Sequence, residues 1–141
     1  MEVDRNGLEV LTRDECVRLL ATVPLGRIAF SARALPTILP VNFVVMGQEL
    51  LMLTGRGSSL DTATRDTVVA FEADGGDGVD HPGWSVVVTG VAREVAPDEV
   101  GSVDVSRLRR WSPGRDRAGD GRLIAVSLDV VSGRRAVGCT V

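Results

Sequence analysis

A succession of short β-branched, apolar runs, each broken by turn-forming residues, limits the fold more than any other feature of the chain. Thr37 to Val45, Leu50 to Thr54, Thr67 to Ala73, Trp84 to Val95 and Arg122 to Val131 each read as strands. A weaker alternation runs from Arg27 to Ser31, and Arg134 to Val141 is expected to add a short final strand. Turn chemistry fills the intervals: Met46-Gly47-Gln48-Glu49, the Gly- and Asp-rich Asp74 to Gly83, and Ser112 to Gly121. About six strands at this spacing predict a mainly antiparallel sheet, and closure into a small barrel removes its exposed edges. No long helical pattern alternates with the strands, which argues against a doubly wound parallel fold. Two residues inside the runs carry positional meaning. Pro40 lacks a backbone donor and belongs at an edge or bulge, while Gly90 signals a bulge or a close backbone approach.

Helices are few and marginal. Thr12-Arg13-Asp14-Glu15 is a capping box, and Cys16, Leu19, Leu20 and Val23 then fall on one helical face until Pro24 and Gly26 end it. Asp61 to Arg65 is a candidate short helix. Pro97 can open another, with Val100, Val103 and Leu108 as a partial apolar face. The 141 residues are expected to form one domain over 1–141. No apolar run approaches the length of a membrane span, and MEVDRNGLEV lacks the basic start and apolar centre of a signal peptide. The expectation is a cytoplasmic protein that uses neither membrane nor nucleic acid, since a net charge of −3 gives no electrostatic footprint for the latter.

Absences narrow the chemistry. All sixteen basic residues are arginine, so no lysine can form a Schiff base or serve a Walker A loop. A single histidine, His81, and two distant cysteines, Cys16 and Cys139, make a poor metal set and argue against a structural disulfide; Cys16 reads as core. His81 sits in the loop GGDGVDHPG, and no nucleophile elbow is present, which argues against a hydrolase.

Four stretches could carry a site. In Thr54-Gly55-Arg56-Gly57-Ser58-Ser59-Leu60-Asp61, glycines expose backbone N–H groups, serine hydroxyls can donate to an anion and Arg56 adds charge. The same residues also make a good turn with a serine helix cap. Pro40-Val41-Asn42-Phe43 could present backbone groups and an amide to a planar ring, or be an edge strand with Asn42 in water. Trp84 could pack beside an aromatic cofactor, or be an ordinary core or interface aromatic. Arg107, Arg109, Arg110, Arg115 and Arg117 could grip an anionic tail, or form a mixed-charge surface with Asp116 and Asp120.

The order of these pieces resembles the pyridoxamine 5′-phosphate oxidase-like family of FMN-binding split barrels, above all its short actinobacterial members. The matching segments are Leu20 to Ala29, Leu39 to Phe43, Leu53 to Leu60, Val69 to Asp74, Gly83 to Ala92, Trp111 to Gly114 and Val131 to Arg135. The resemblance implies a six-stranded antiparallel split β-barrel with a few peripheral helices, and a homodimer with two flavin sites in clefts between the subunits. Carried over by position, Val41 and Asn42 lie against the flavin ring, and Thr54 and Gly55 lie near the ring or ribityl chain. Ser58 and Ser59 meet the phosphate, and Trp84 and Ser85 help close the site. One departure stands out. Relatives often place Lys or Arg just after the Gly-Ser of the turn, where this chain has Ser59 and Leu60. A hydrogen bond to a charged group is worth about 1.5–3 kcal/mol; the alternatives are that Arg56 swings onto the phosphate to make up the loss, that the site is weak, or that it is tuned to a different cofactor. The function expected from the resemblance is an FMN-binding oxidoreductase that uses FMN or a deazaflavin for hydride transfer to a small-molecule substrate. The alternatives are a non-catalytic FMN-binding protein and a cofactor-free dimeric barrel.

Overall fold

The computed structural model describes residues 1–108 and 121–137. The capping box forms as the sequence predicts. Thr12 accepts the Glu15 N–H at 3.2 Å and the Glu15 carboxylate accepts the Thr12 N–H at 3.1 Å, starting α1 (Arg13–Leu20). Cys16 and Leu20 are fully buried, and the Cys16 thiol is free. The helix stops at Ala21, before Pro24 and Gly26 can act, and Val23 packs against the core from the following loop.

Among the described residues there are eight strands, all but the first along the predicted runs: β1 (Leu8–Val10), β2 (Leu25–Ala32), β3 (Leu35–Met46), β4 (Glu49–Gly55), β5 (Thr67–Gly75), β6 (Trp84–Glu94), β7 (Gly121–Ser127) and β8 (Val130–Ala136). All pairings are antiparallel. Strands β6-β5-β2-β3-β4-β7 form a ring that closes where β7 returns to β6. β8 and β1 extend the sheet beyond β6. The fold is therefore a closed six-stranded barrel with two extra strands and α2 (Ser59–Ala63) packed against β2 and β4. Inward residues alternate along each strand, and the Phe43 and Phe71 rings meet edge to face, 4.7 Å apart, inside the barrel.

Three expectations change. The single run Arg122 to Val131 becomes β7 and β8, and what looked like a separate last strand is the end of β8. Both lie on one edge of β6, with Ala92 opposite Val126 and Thr89 opposite Val130. Three residues on one side thus face two on the other, which is a β-bulge. Gly90 sits at this point, and a Cβ there would lie 1.7 Å from the Ser127 backbone oxygen. The glycine therefore answers both readings of the sequence, bulge and close approach. The expected helix after Pro97 is replaced by two 3-10 turns, Pro97–Glu99 and Val105–Arg107. Gly101 at φ 60° breaks the helical path, and Val100 and Leu108 instead cover Leu51 and Ala125 on the outside of β4 and β7. β1 was not predicted, because Leu8-Glu9-Val10 is too short to show a pattern. Residues Arg109, Arg110, Arg115 and Arg117, the segment Trp111 to Gly114, and Cys139 lie outside the described residues.

The β2–β3 hairpin carries no Gly or Asn signal. Ala32 pairs with Leu35, and the two residues between them, Arg33 and Ala34, have φ of 51° and 63°. Two positive φ values mark a type I′ turn, normally the place of Asn-Gly. The outer face of the sheet is also unusual. Ala29, Ala70 and Thr89 form a row of small residues bounded by Ile38 and Val130, with Val68 beside it; these three are 68%, 63% and 70% exposed. On the same face Arg27 lies 3.4 Å from Glu72 and 3.0 Å from Asp74. Burial and the neighbouring Asp74 carboxyl push Glu72 up to about 7 against the pull of Arg27.

Replacing Gly90 with Ala is expected to cost about 1–3 kcal/mol or more, because the new methyl group meets backbone rather than a movable side chain. Gly83→Ala, whose Cβ would have 3.9 Å of clearance, serves as the control in urea denaturation. The raised Glu72 gives a second expectation. An acid held above its unfolded value of 4.5 weakens the fold as pH rises from 4.5 to 7. Glu72→Gln should therefore melt higher than wild type at pH 8, and the gap should close towards pH 4.5.

Candidate functional site

The stretch after β4 folds as a tightly tied turn. Gly57 has φ 76° and its N–H donates to Asp61 Oδ2 at 2.7 Å. Ser58 caps α2 by accepting the Asp61 N–H at 3.1 Å, and its hydroxyl also lies 3.1 Å from that of buried Thr54. Asp61 in turn accepts from Arg122 of β7, which also donates to the Asp61 backbone oxygen at 3.1 Å. Asp61 and Arg122 are 3% and 2% exposed. Arg122 Nε has no hydrogen bond and lies 3.4 Å from Glu94 Oε1. Burial pushes the Asp61 carboxyl up, but the Gly57 N–H and Arg122 outweigh it and hold the group below its usual 3.8. The turn thus has an internal anion, the Asp61 carboxylate, on one of the N–H groups that the sequence offered to a phosphate.

Two cavities flank the turn, and they differ in charge. The first, about 480 Å³, is lined by the Ser31, Ser58, Ser59 and Thr62 hydroxyl residues, by Gly57, and by Arg33 from the I′ turn. Among the described residues no carboxylate lines it. The second, about 530 Å³, holds Arg56 and Arg122 but also Glu94 and Glu99. Arg56 therefore lines a different cavity from Ser59. Arg33 carries no motif and was missed by sequence reading. Asp61 and Arg122 were missed as a pair because 61 residues separate them.

The remaining candidates fall into two groups. The β3–β4 ladder ends at Phe43 opposite Met52, and continuing that register brings Val41 alongside Thr54. Val41 and Asn42 pair with Gly26 and Leu25 at the start of β2, whereas Ser58 and Ser59 share their cavity with Ser31 and Arg33 at its end. Trp84 and Ser85 lie level with Asn42 and Leu25 and away from the Ser58–Ser59 cavity. They pair with Gly75 and Asp74, beyond the start of β2, whereas Ser31 to Arg33 lie at its end. The separation along the strands is about seven residues, roughly 23 Å. Trp84 lines a different cavity of about 500 Å³ with Leu19, Asp77 and His81. Asp77 accepts the N–H groups of Val79, Asp80 and His81, each at 2.9 Å, and shapes that loop. Among the described residues no group of three or more His, Cys, Asp or Glu could hold a metal ion.

Comparison with known proteins agrees with this architecture. The pyridoxamine 5′-phosphate oxidase family matches residues 12–135. The uncharacterized protein Rv0080 of Mycobacterium tuberculosis is 40% identical over 133 residues, 90% of this chain and 84% of the relative. The FAD binding protein from Mycobacterium smegmatis superposes with a TM-score of 0.68 at 32% identity, covering 92% of this chain and 99% of that one. A FAD-binding protein from Mesorhizobium loti reaches a TM-score of 0.75 at 22% identity, covering 92% and 99%, and shows the shared fold.

The Asp61–Arg122 pair makes a sharp expectation. Asp61→Asn leaves the buried guanidinium only the exposed Glu94 carboxylate as counter-charge and should cost about 3–5 kcal/mol at pH 7. A carboxylate with a lowered value contributes its stability above the unfolded 3.8 and loses it as pH falls further. In urea denaturation the difference between wild type and variant should hold from pH 5 to 8 and shrink below pH 4.

Proposed function

Because the chain belongs to the pyridoxamine 5′-phosphate oxidase-like family of FMN-binding split barrels, we propose that it binds a flavin nucleotide and works as an oxidoreductase on a small substrate. The observation that carries this reading is the cavity beside Ser58 and Ser59. Four hydroxyl residues and one arginine line it, with no carboxylate, a donor set suited to a phosphoryl group. Bound flavin would supply the hydride chemistry. The chain's own part is to hold and orient it. The hydroxyls of Ser31, Ser59 and Thr62 donate to phosphoryl oxygens, Ser58 fixes the turn, and Val41, Asn42, Thr54 and Gly55 form the wall for the ring and ribityl chain.

We assign the second half of the site to another copy of the chain. Trp84 and Ser85 lie too far along the barrel to serve the same protomer's cavity. The apolar row Ile38-Ala29-Ala70-Thr89-Val130 gives a second copy a flat surface to cover. A homodimer would also bury Val68 and Val91. A larger flavin, FAD, is the second reading, favoured by the 32% identical Mycobacterium smegmatis relative described as FAD binding.

Titration of cofactor-free protein with FMN and FAD in parallel, following tryptophan fluorescence and sedimentation, tests both halves. The expected result is saturable quenching with one flavin per chain and a dimer mass, followed by turnover with a nicotinamide hydride donor. Trp84→Phe should remove much of the quenching. Binding without turnover would reduce the protein to a flavin carrier, and no binding by either flavin would end the flavin reading.

A further inference from the structure

The turn Gly55 to Ser59 contains one cation, Arg56, and that residue faces a cavity holding Glu94 and Glu99. Two carboxylates make this a poor place for a phosphoryl dianion. The carboxylate-free cavity has a different cation, Arg33, which enters it from the β2–β3 hairpin together with Ser31, Gly57, Ser58, Ser59 and Thr62. Among the described residues Arg33 makes no hydrogen bond or ion pair, so its guanidinium donors remain available. Its backbone points the same way. Arg33 and Ala34 hold the left-handed conformations of an I′ turn, which glycine and asparagine adopt with least strain, and the turn itself gains nothing from an arginine.

We infer that Arg33 is the residue that grips the phosphoryl group of the bound flavin, replacing from a neighbouring hairpin the cation that the Gly-Ser turn lacks. This rests on the flavin reading above. A guanidinium presents two parallel N–H donors to two phosphoryl oxygens, and the hydroxyls of Ser59 and Ser31 can serve the remaining ones. Asp61 keeps its place in the turn, since Arg33 approaches from the side that carries no carboxylate.

FMN and riboflavin differ only in the phosphate, so their affinities for wild type, Arg33→Asn, Arg33→Lys and Arg56→Ala provide the test. Asparagine suits an I′ turn, and Arg33→Asn should keep or raise the melting temperature. The same variant should bind FMN roughly ten- to a hundredfold more weakly. Riboflavin affinity should not change, Arg33→Lys should recover much of the FMN loss, and Arg56→Ala should leave FMN affinity as it is. Equal losses for riboflavin and FMN would assign Arg33 to the shape of the hairpin and overturn the inference. So would unaltered FMN affinity in Arg33→Asn. If wild type binds neither flavin, the flavin reading fails on its own, and Arg33 is judged with inorganic pyrophosphate. A saturable shift of the Arg33 Nε–H resonance, identified by its loss in Arg33→Asn, would keep the anion site; no shift would overturn it.

Discussion

Closure of the barrel depends on one close approach of backbone to backbone, that of Gly90 to Ser127. β6 has to serve two partners on a single edge, β7 to complete the ring and β8 to carry the sheet outward. The bulge at Ser127–Asp129 makes this possible. Its extra residue shifts the inward set from Ile124, Val126 and Leu128 to Val131 and Gly133. Ser127 secures the crossing by accepting the Val91 N–H at 2.8 Å, while its own hydroxyl donates to Asp129 at 2.7 Å. Without a side chain at residue 90 the strands meet; with one the backbone at Ser127 has to shift. The β4–β7 ladder, and with it the position of Arg122 opposite Thr54, follows from that contact.

Arg122 then ties the barrel wall to the turn. A buried ion pair is weak evidence for net stability, because both charges must leave water. Its value here is positional. Asp61 holds Gly57 and, through Arg122, ties α2 to β7, while α2 itself packs against β2 and β4. The turn is therefore rigid before any ligand arrives, and a rigid set of donors loses less freedom on binding. The same arrangement sets which donors of the sequence motif are already engaged. An internal carboxylate already occupies one N–H group of the apparent cradle, which moves the free donors sideways to Ser59 and the cavity under the β2–β3 hairpin.

Much of this was legible in the chain and part was not. The strand runs, the capping box at Thr12, the turn at Gly47 and the role of Gly90 follow from local rules of hydrogen bonding and steric fit, and each appears where those rules put it. The helix expected after Pro97 fails because burial of Val100 and Leu108 over Leu51 and Ala125 outweighs a weak local preference. At the candidate site, Thr54, Gly55, Ser58 and Ser59 were visible as a motif because they lie within six consecutive residues. Arg33 was not, because its neighbours Ala32 and Ala34 give no turn signal and its relation to Ser59 exists only across the barrel.

The sequence by itself determined the antiparallel β architecture, its approximate strand count, the exclusion of lysine chemistry and the family. The first three depend on composition and on residues within a few positions of one another; the family rests on a resemblance in the order of segments along nearly the whole chain. Tertiary structure alone decided which strand closes the ring, which arginine faces which cavity, and that Trp84 and Ser59 stand at opposite ends of one protomer. Register and closure set those relations, and both arise from contacts between residues far apart in the chain, where local preference carries no information.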